Sequence, residues 1–395
     1  MTVSPSVRRQ TAQLLALTFA HTVADTYVGI IAPVIIPMRD RYGVSVAALI
    51  VITSLLAFSS NIFQIPVGQM RATRGTPLPI CFGVLLAGVS VLIPSLPPGR
   101  FSVVGMAGLA LLAGLGVAII HPEGLRAIHG FDRLPSSLTT SLFMVSGFMG
   151  FAGGAMLSSA LTERFGLASL RWLYAAAPVA ALCLGGSGLR LPVENEMAVR
   201  EATPPERIPG VPFAPLFIMA ATLATCSQIQ ATLLPSYLHE EAGYSLSFSG
   251  FSFTLFGIGG MIGALVWGAL APRFGHLRVI LYSALAGAPL TLLYLILAPR
   301  ARAASILLAF TGFIVYTGFP LCITLARYAS SSLRFTQRMG LVSGGSWGIA
   351  AVVMWILGPV SEHTGMGPLL HLIWVGYLVT VLLTRIEIRR QRPCA

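Results

Sequence analysis

Two ionisable residues share one turn of an apolar stretch near the start of the chain. His21 and Asp25 are four residues apart, so on a helix they lie on the same face. Burial favours the neutral form of a carboxyl group, and a nearby imidazolium favours the carboxylate. Such a pair can take up and release a proton near neutral pH. The spacing indicates proton transfer at Asp25, modulated by His21; a purely structural His–Asp hydrogen bond is the alternative.

A second charged group lies in the sequence His121-Pro122-Glu123-x-x-Arg126. His121 and Glu123 would point about 200° apart on a regular helix, unless Pro122 distorts that turn. Glu123 and Arg126 are three residues apart and share a face. The spacing predicts a Glu123–Arg126 ion pair with His121 turned toward a central cavity. A titrating Glu123 is the alternative.

The chain that carries these residues is too apolar for a soluble protein. Of its 395 residues, 55% are hydrophobic and 10% are charged, and the mean hydropathy is +0.82. An average soluble domain has roughly 25% charged residues, and a soluble chain of this length needs far more polar surface. An ordinary soluble enzyme and a disordered chain are therefore excluded. We expect a membrane protein that crosses the bilayer several times.

Apolar stretches long enough to cross a bilayer as helices occur twelve times. They lack the alternation of barrel strands. A window of about 20 residues, which spans the hydrocarbon core, places them at 11–37, 45–70, 76–96, 102–128, 137–161, 168–190, 213–238, 246–271, 277–298, 303–328, 337–361 and 366–386. The expected fold is an all-α membrane protein with twelve transmembrane helices.

Arginine placement predicts the orientation. All 25 basic residues are Arg, and they are scattered between the apolar spans without a basic stripe, so the net charge of +12 does not indicate nucleic-acid binding. With both termini in the cytoplasm, eighteen Arg lie inside and seven outside, as the positive-inside bias requires. We expect a monomer in the cytoplasmic (inner) membrane with both termini in the cytoplasm.

The two halves of the sequence repeat. Gly68–Gly75 matches Gly268–Gly275, and Asp40–Ser45 matches Glu240–Ser245, both at an offset of 200. Two further matches, at offsets of 197 and 199, are Val145-Ser-Gly147 with Val342-Ser-Gly344 and Glu163-Arg-Phe-Gly166 with Glu362-His-Thr-Gly365. The repeat predicts two pseudo-symmetric six-helix halves, 1–190 and 213–395, joined by a cytoplasmic linker at 191–212, as in rocking secondary transporters.

The repeated loop resembles that of the major facilitator superfamily, whose pattern is Gly-x-x-x-Asp-Arg-x-Gly. Ala72 and Pro272 stand where that family has its acid, so the loop lacks the residue to which the family's charge relay is usually assigned. The resemblance implies the major facilitator fold and a conformational role for the loop residues. These are Gly68, Arg71, Gly75, Gly268, Arg273 and Gly275.

Within the superfamily, His21-x-x-x-Asp25 and His121-Pro122-Glu123-x-x-Arg126 are similar to the fosmidomycin-resistance group. Glycines 147, 150, 153 and 154 resemble the glycine-rich antiporter motif, although Met149 precedes Gly150 where that motif has Gly-Pro. The resemblance implies proton-driven export of a small molecule, as in drug-resistance efflux. It does not identify the cargo, because such families change substrates readily.

The second half of the sequence lacks the ionisable residues that the first half has within its apolar spans. At an offset of 198, His121-Pro122-Glu123 falls on Phe319-Pro320-Leu321. We therefore expect the first half to handle protons, with His21, Asp25, His121 and Glu123 as candidates, and the second half to contribute apolar substrate surface. Candidate substrate-binding residues are Asn61, Gln64, Gln228, Phe256, Tyr316, Phe319 and Trp347, with helix packing as the alternative for the aromatic ones.

Other functions compete with proton-coupled export. The His and acid side chains are also N and O ligands suited to a divalent metal or metal chelate as cargo, and proton symport into the cell uses the same groups. The sequence has no phosphate-binding loop and no nucleophile-elbow motif, so we expect no enzyme, no cofactor besides the proton gradient and no resident metal. No Arg lies at mid-depth, which disfavours a strongly anionic cargo.

Overall fold

Twelve long apolar helices make up the part of the chain that the structure describes. The structure is a computed structural model that describes residues 6–70, 75–193, 211–333 and 335–391. We number the membrane-spanning helices α1 Val7–Tyr42, α2 Val46–Gly68, α3 Leu78–Ser95, α4 Ser102–Ile128, α5 Leu138–Phe165, α6 Leu167–Gly186, α7 Phe213–Glu240, α8 Leu246–Phe274, α9 His276–Leu297, α10 Arg302–Ala326, α11 Gln337–Thr364 and α12 Gly367–Arg390. The expected all-α fold with twelve spans is confirmed.

Helix α1 is interrupted, and the reason is local. Its regular part ends at Gly29, a short 3-10 turn follows at Ala32–Val34, and the helix resumes at Ile35. Pro33 lies in this turn and has no N–H to donate. His21 and Asp25 lie in the regular part, so their shared face is kept.

Glycines of α5 bring the backbone of that helix against α1. A Cβ atom at Gly150 would lie 2.2 Å from the Thr22 carbonyl oxygen, and one at Gly154 would lie 2.5 Å from that of Thr26. Any larger residue would push the two helices apart. The glycine row therefore fixes the distance between α5 and the face of α1 that carries Asp25.

With twelve spans, the first described helix begins and the last one ends on the same side of the bundle. We call this the terminal side and the opposite side the far side. We call helices α1–α6 the first half and α7–α12 the second half. Hydrogen bonds join them toward the far side: Arg39 Nη1 donates to Glu240 Oε1 at 2.7 Å, and Thr254 Oγ1 donates to the Ala152 carbonyl at 2.6 Å. These contacts hold the two sets of helices together toward the far side.

The linker expected at 191–212 has its middle, 194–210, outside the described residues. Its two ends each pair with their own half. Leu191 N donates to the Gly75 carbonyl at 3.0 Å, and Phe213 N, just past the linker, donates to the Ser330 carbonyl at 3.2 Å. The division into 1–190 and 213–395 stays a prediction.

Candidate functional site

The Asp25 carboxylate lies between two imidazole rings. Asp25 Oδ2 is 3.3 Å from His21 Nε2, one turn back on α1, and Asp25 Oδ1 is 3.3 Å from His121 Nε2 on α4. The exposed fractions of the three side chains are 4% for His21, 15% for Asp25 and 27% for His121. Each carboxylate oxygen thus faces its own ring in a mostly buried site, and His121 is the member nearest to solvent.

The contacts of His21 on its other side decide which ring nitrogen carries the hydrogen of the neutral ring. His21 Nδ1 lies 2.8 Å from the Phe143 carbonyl oxygen, and its ring stacks on the Phe143 ring at 3.9 Å. A carbonyl only accepts, so Nδ1 carries the hydrogen of this bond. In neutral His21, Nε2 is then a bare acceptor that faces Asp25. A hydrogen bond across this 3.3 Å contact therefore needs one additional proton, on the carboxyl or on the ring.

In His121 the roles of the two ring nitrogens are reversed. Its Nδ1 lies 3.3 Å from the Gln64 side-chain nitrogen, and that same nitrogen donates to the Ser60 carbonyl at 2.8 Å. Since an amide nitrogen only donates, Nδ1 of His121 accepts. Neutral His121 then keeps its hydrogen on Nε2 and can donate it to Asp25 Oδ1. Gln64, expected to contact substrate, orients His121 in this structure.

Gly147 on α5 lies against the same cluster. A Cβ atom there would lie 2.5 Å from Asp25 Oδ2 and 2.5 Å from His21 Cε1, so only glycine fits. Sequence reasoning grouped Gly147 with the glycine row of α5 but did not connect it, or Phe143, with Asp25. The sequence feature that predicts this contact is the glycine row, which indicates a close approach of two helices but does not identify α1 as the partner.

Glu123 lies apart from this cluster. Helix α4 continues through Pro122, so His121 and Glu123 point in different directions. The Glu123 carboxylate pairs with Arg126, which also donates to the Pro192 carbonyl at 3.4 Å. Of the four candidate proton-coupling residues, the structure brings together His21, Asp25 and His121, and it leaves Glu123 in an ion pair nearer the terminal side.

The polar substrate candidates outside this cluster have local partners. The Asn61 side-chain nitrogen donates to the Ala57 carbonyl at 2.7 Å. Gln228 is buried and donates to Thr232 Oγ1 at 3.0 Å. Gln228 also lines a cavity of ≈ 30 Å³ toward the far side, which it shares with Gly29 and Phe151. That volume holds about one or two water molecules and is too small for an organic substrate.

The aromatic candidates take part in ring contacts. The Tyr316 ring lies 4.6 Å from the Phe148 ring of the other half, and the Phe319 ring lies 5.4 Å from that of Trp347. Phe256 is fully buried and also contacts Tyr316. Tyr316, Phe319 and Trp347 are partly exposed, so they can offer surface to a ligand as well as pack.

The six loop-motif residues fall into three groups. Arg71 lies outside the described residues. At positions 75 and 275 the local structure favours glycine. A Cβ at Gly75 would lie 3.0 Å from the Leu191 carbonyl oxygen, and Gly275 has φ +88 between α8 and α9. Gly68, Gly268 and Arg273 are exposed, and a Cβ at Gly268 would meet no atom within 4 Å.

The sequence profile of the Major Facilitator Superfamily matches residues 17–330. The chain belongs to the major facilitator superfamily. It is 22% identical over 362 residues to the fosmidomycin resistance protein of Escherichia coli (strain K12), covering 89% of this chain and 86% of that protein. It is 23% identical over 369 residues to an uncharacterized MFS-type transporter, YfnC, of Bacillus subtilis (strain 168), covering 90% of this chain and 88% of that protein.

Solved structures share the fold at low identity. A bacterial homologue of the human lysosomal transporter Spinster, in an inward-facing and unoccupied conformation, superposes with a TM-score of 0.71 at 14% identity, over 99% of this chain and 100% of that one. A D-xylose–proton symporter superposes with a TM-score of 0.68 at 13% identity, over 96% of this chain and 97% of that one. The family match over residues 17–330 makes this chain a multi-pass membrane transporter of small molecules and not an enzyme.

Proposed function

We propose that this superfamily member is a proton-coupled exporter of a small organic molecule that works by alternating access. Asp25 is its main proton site and His21 shares the proton. The supporting observation is the 2.8 Å contact between His21 Nδ1 and the Phe143 carbonyl, which leaves the ring without a hydrogen toward Asp25 unless a proton is added.

The two protonation states differ in how α1 packs. With the proton present, Asp25 and His21 share it and the 3.3 Å contact is attractive. Without it, a carboxylate faces a nitrogen lone pair inside a site closed by α5, which is unfavourable. The pair must then separate, or a donor from the substrate or from water must come between them. Proton release is coupled in this way to movement of α1 or to substrate binding.

His121 supports the charged state of Asp25. Its Nε2 hydrogen can donate to Asp25 Oδ1, and Gln64 keeps the ring in the tautomer that does so. Hydrogen bonding to a carboxylate stabilises the anion. His121 therefore makes the deprotonated state accessible, and its partial exposure offers a route by which the proton leaves the site.

Export is supported by the similarity to the fosmidomycin resistance protein of Escherichia coli, because a membrane transporter can confer resistance by moving a drug out of the cell. We place the protein in the inner membrane as a monomer, with both termini, and so the terminal side, in the cytoplasm. Tyr316, Phe319 and Trp347 supply apolar substrate surface from the second half. Proton symport into the cell is the alternative direction for the same site.

A transport assay in proteoliposomes tests this proposal. The probe is the compound that raises the melting temperature most in a screen of small organic molecules, with fosmidomycin included. A pH gradient that drives protons against the probe's direction of movement should concentrate it, and an ionophore that collapses the gradient should abolish accumulation. Accumulation in the direction of proton flow would favour symport, and accumulation unaffected by the ionophore would contradict proton coupling.

A divalent metal as cargo is the second candidate. Donor atoms of His21, Asp25 and His121 all lie within 4.8 Å of one another, and the set of two nitrogens and one oxygen suits a transition metal. Thermal stabilisation of the purified protein by Zn²⁺ or Co²⁺, lost in His21→Ala, would favour this candidate. The proton-coupled proposal expects no such metal-dependent shift.

A further inference from the structure

Two glutamates on the far side reach across from one half of the protein to the other. Glu163, in the last turn of α5, accepts a hydrogen bond from the backbone N–H of Ser247 at 2.7 Å. Glu362, in the last turn of α11, accepts one from the backbone N–H of Ala47 at 3.1 Å. Each donor is the second residue of a helix, α8 or α2. Each carboxylate therefore binds a helix N-terminus that belongs to the opposite half.

The two helix starts are built alike. Ser45 caps α2, and its side chain accepts from the third residue of the helix, Ala48, at 3.1 Å. Ser245 caps α8 and accepts from Phe248 at 3.2 Å. The cap serines and their partners are related by an offset of 200, and the two glutamates by 199. In each helix the N–H of the second residue is left for the glutamate of the other half.

These bonds can form only while the far side is closed, because they join residues of different halves. A helix N-terminus carries partial positive charge and unsatisfied N–H groups, so a carboxylate there is stabilising. Opening the far side replaces the carboxylates with water at both helices together. We infer that Glu163 and Glu362 are a symmetric pair of positioning residues that sets the balance between the far-closed and far-open states. This rests on alternating access but not on proton coupling or transport direction.

Glu241 is a control of the same chemistry with a different location. Its carboxylate accepts from the backbone N–H groups of Met366 and Gly367, the latter at 3.1 Å, at the start of α12. Donor and acceptor both belong to the second half. Loss of this cap should cost the C-terminal half stability without changing the distance between the halves.

Spin-label distances measure the balance directly. In a background without the five native cysteines, labels replace Arg100 and Arg300, exposed far-side residues of the two halves. An exposed carboxylate at a helix N-terminus stabilises by about 0.3–1 kcal/mol, so each Glu→Gln change should raise the far-open population about two- to fivefold. Glu163→Gln with Glu362→Gln should give about the product, because the sites are separate. Glu241→Gln should leave the distances unchanged.

The donor side gives an independent check. Ser247→Pro removes the N–H in the first turn, where proline is tolerated, and should raise the far-open population about as much as Glu163→Gln. Combining the two changes should add nothing further. Unchanged distances in the Glu163→Gln/Glu362→Gln protein, an equal shift in Glu241→Gln, or full additivity with Ser247→Pro would overturn the inference. None of these results depends on the transport assay.

Discussion

His21 Nδ1 lies 2.8 Å from the carbonyl oxygen of Phe143, and this contact decides which nitrogen of the ring faces Asp25 as an acceptor. In the proposed function, the consequence is a proton site whose occupancy depends on this geometry as well as on burial. Its polarity differs from that of the second imidazole, because His121 takes its orientation from Gln64.

The tautomer of His21 can be observed directly. In protein with ¹⁵N-labelled histidine, we expect neutral His21 to carry its hydrogen on Nδ1, with Nε2 as the unprotonated nitrogen. The His21→Gln variant assigns the signal among the seven histidines. A neutral His21 with its hydrogen on Nε2 would contradict the proton site that we describe.

Gly147→Ala should disturb the site through packing alone. The added methyl group would lie 2.5 Å from Asp25 Oδ2 and from His21 Cε1, so α5 or the pair must shift. We expect a destabilisation of about 1–3 kcal/mol together with weaker gradient-driven transport, measured by thermal unfolding and by flux. Gly153→Ala is the matched control on the same helix, because a Cβ there meets no atom within 4 Å. Equal losses in both variants would show that the helix, and not the site, is responsible.

Much of the fold follows from local sequence properties. The twelve spans are visible as apolar stretches of membrane-crossing length, and the opposite directions of His121 and Glu123 follow from helical geometry. The partners of the ring nitrogens do not follow in this way. Phe143 and Gln64 lie on other helices, and their contacts depend on how four helices pack.

The repeat shows the same limit. The match of Glu163 with Glu362 is visible in the sequence, but it indicates only duplication. The structure adds that each carboxylate crosses to the opposite half, which depends on how the halves meet. The break in α1 after Gly29 was also not anticipated, because Pro33 lies within an otherwise unbroken apolar stretch.

Glu123→Gln should affect stability more than coupling. The Glu123 carboxylate pairs with Arg126 and points away from Asp25, so its loss leaves a mostly buried guanidinium with a weaker partner. We expect the free energy of unfolding to fall by about 1–3 kcal/mol, seen as a lower melting temperature, and gradient-driven transport to be retained. Loss of coupling equal to that of Asp25→Asn would mean that the two acids titrate together.

The orientation rests on the arginine distribution and can be tested at the C-terminus. Cys394, which lies outside the described residues, should be cytoplasmic. In a background lacking the other four cysteines, a membrane-impermeant thiol reagent should label it only after lysis. Labelling in intact cells would reverse the assignment of the terminal side to the cytoplasm.

The most direct test is a comparison of two transport modes in proteoliposomes that contain Asp25→Asn. Asparagine resembles the protonated acid in shape but releases no proton. We expect transport driven by a pH gradient to fall to background, while gradient-independent exchange of the probe persists because the protein still folds and alternates. Gradient-driven flux at the wild-type level in Asp25→Asn would contradict the assignment of Asp25 as the main proton site.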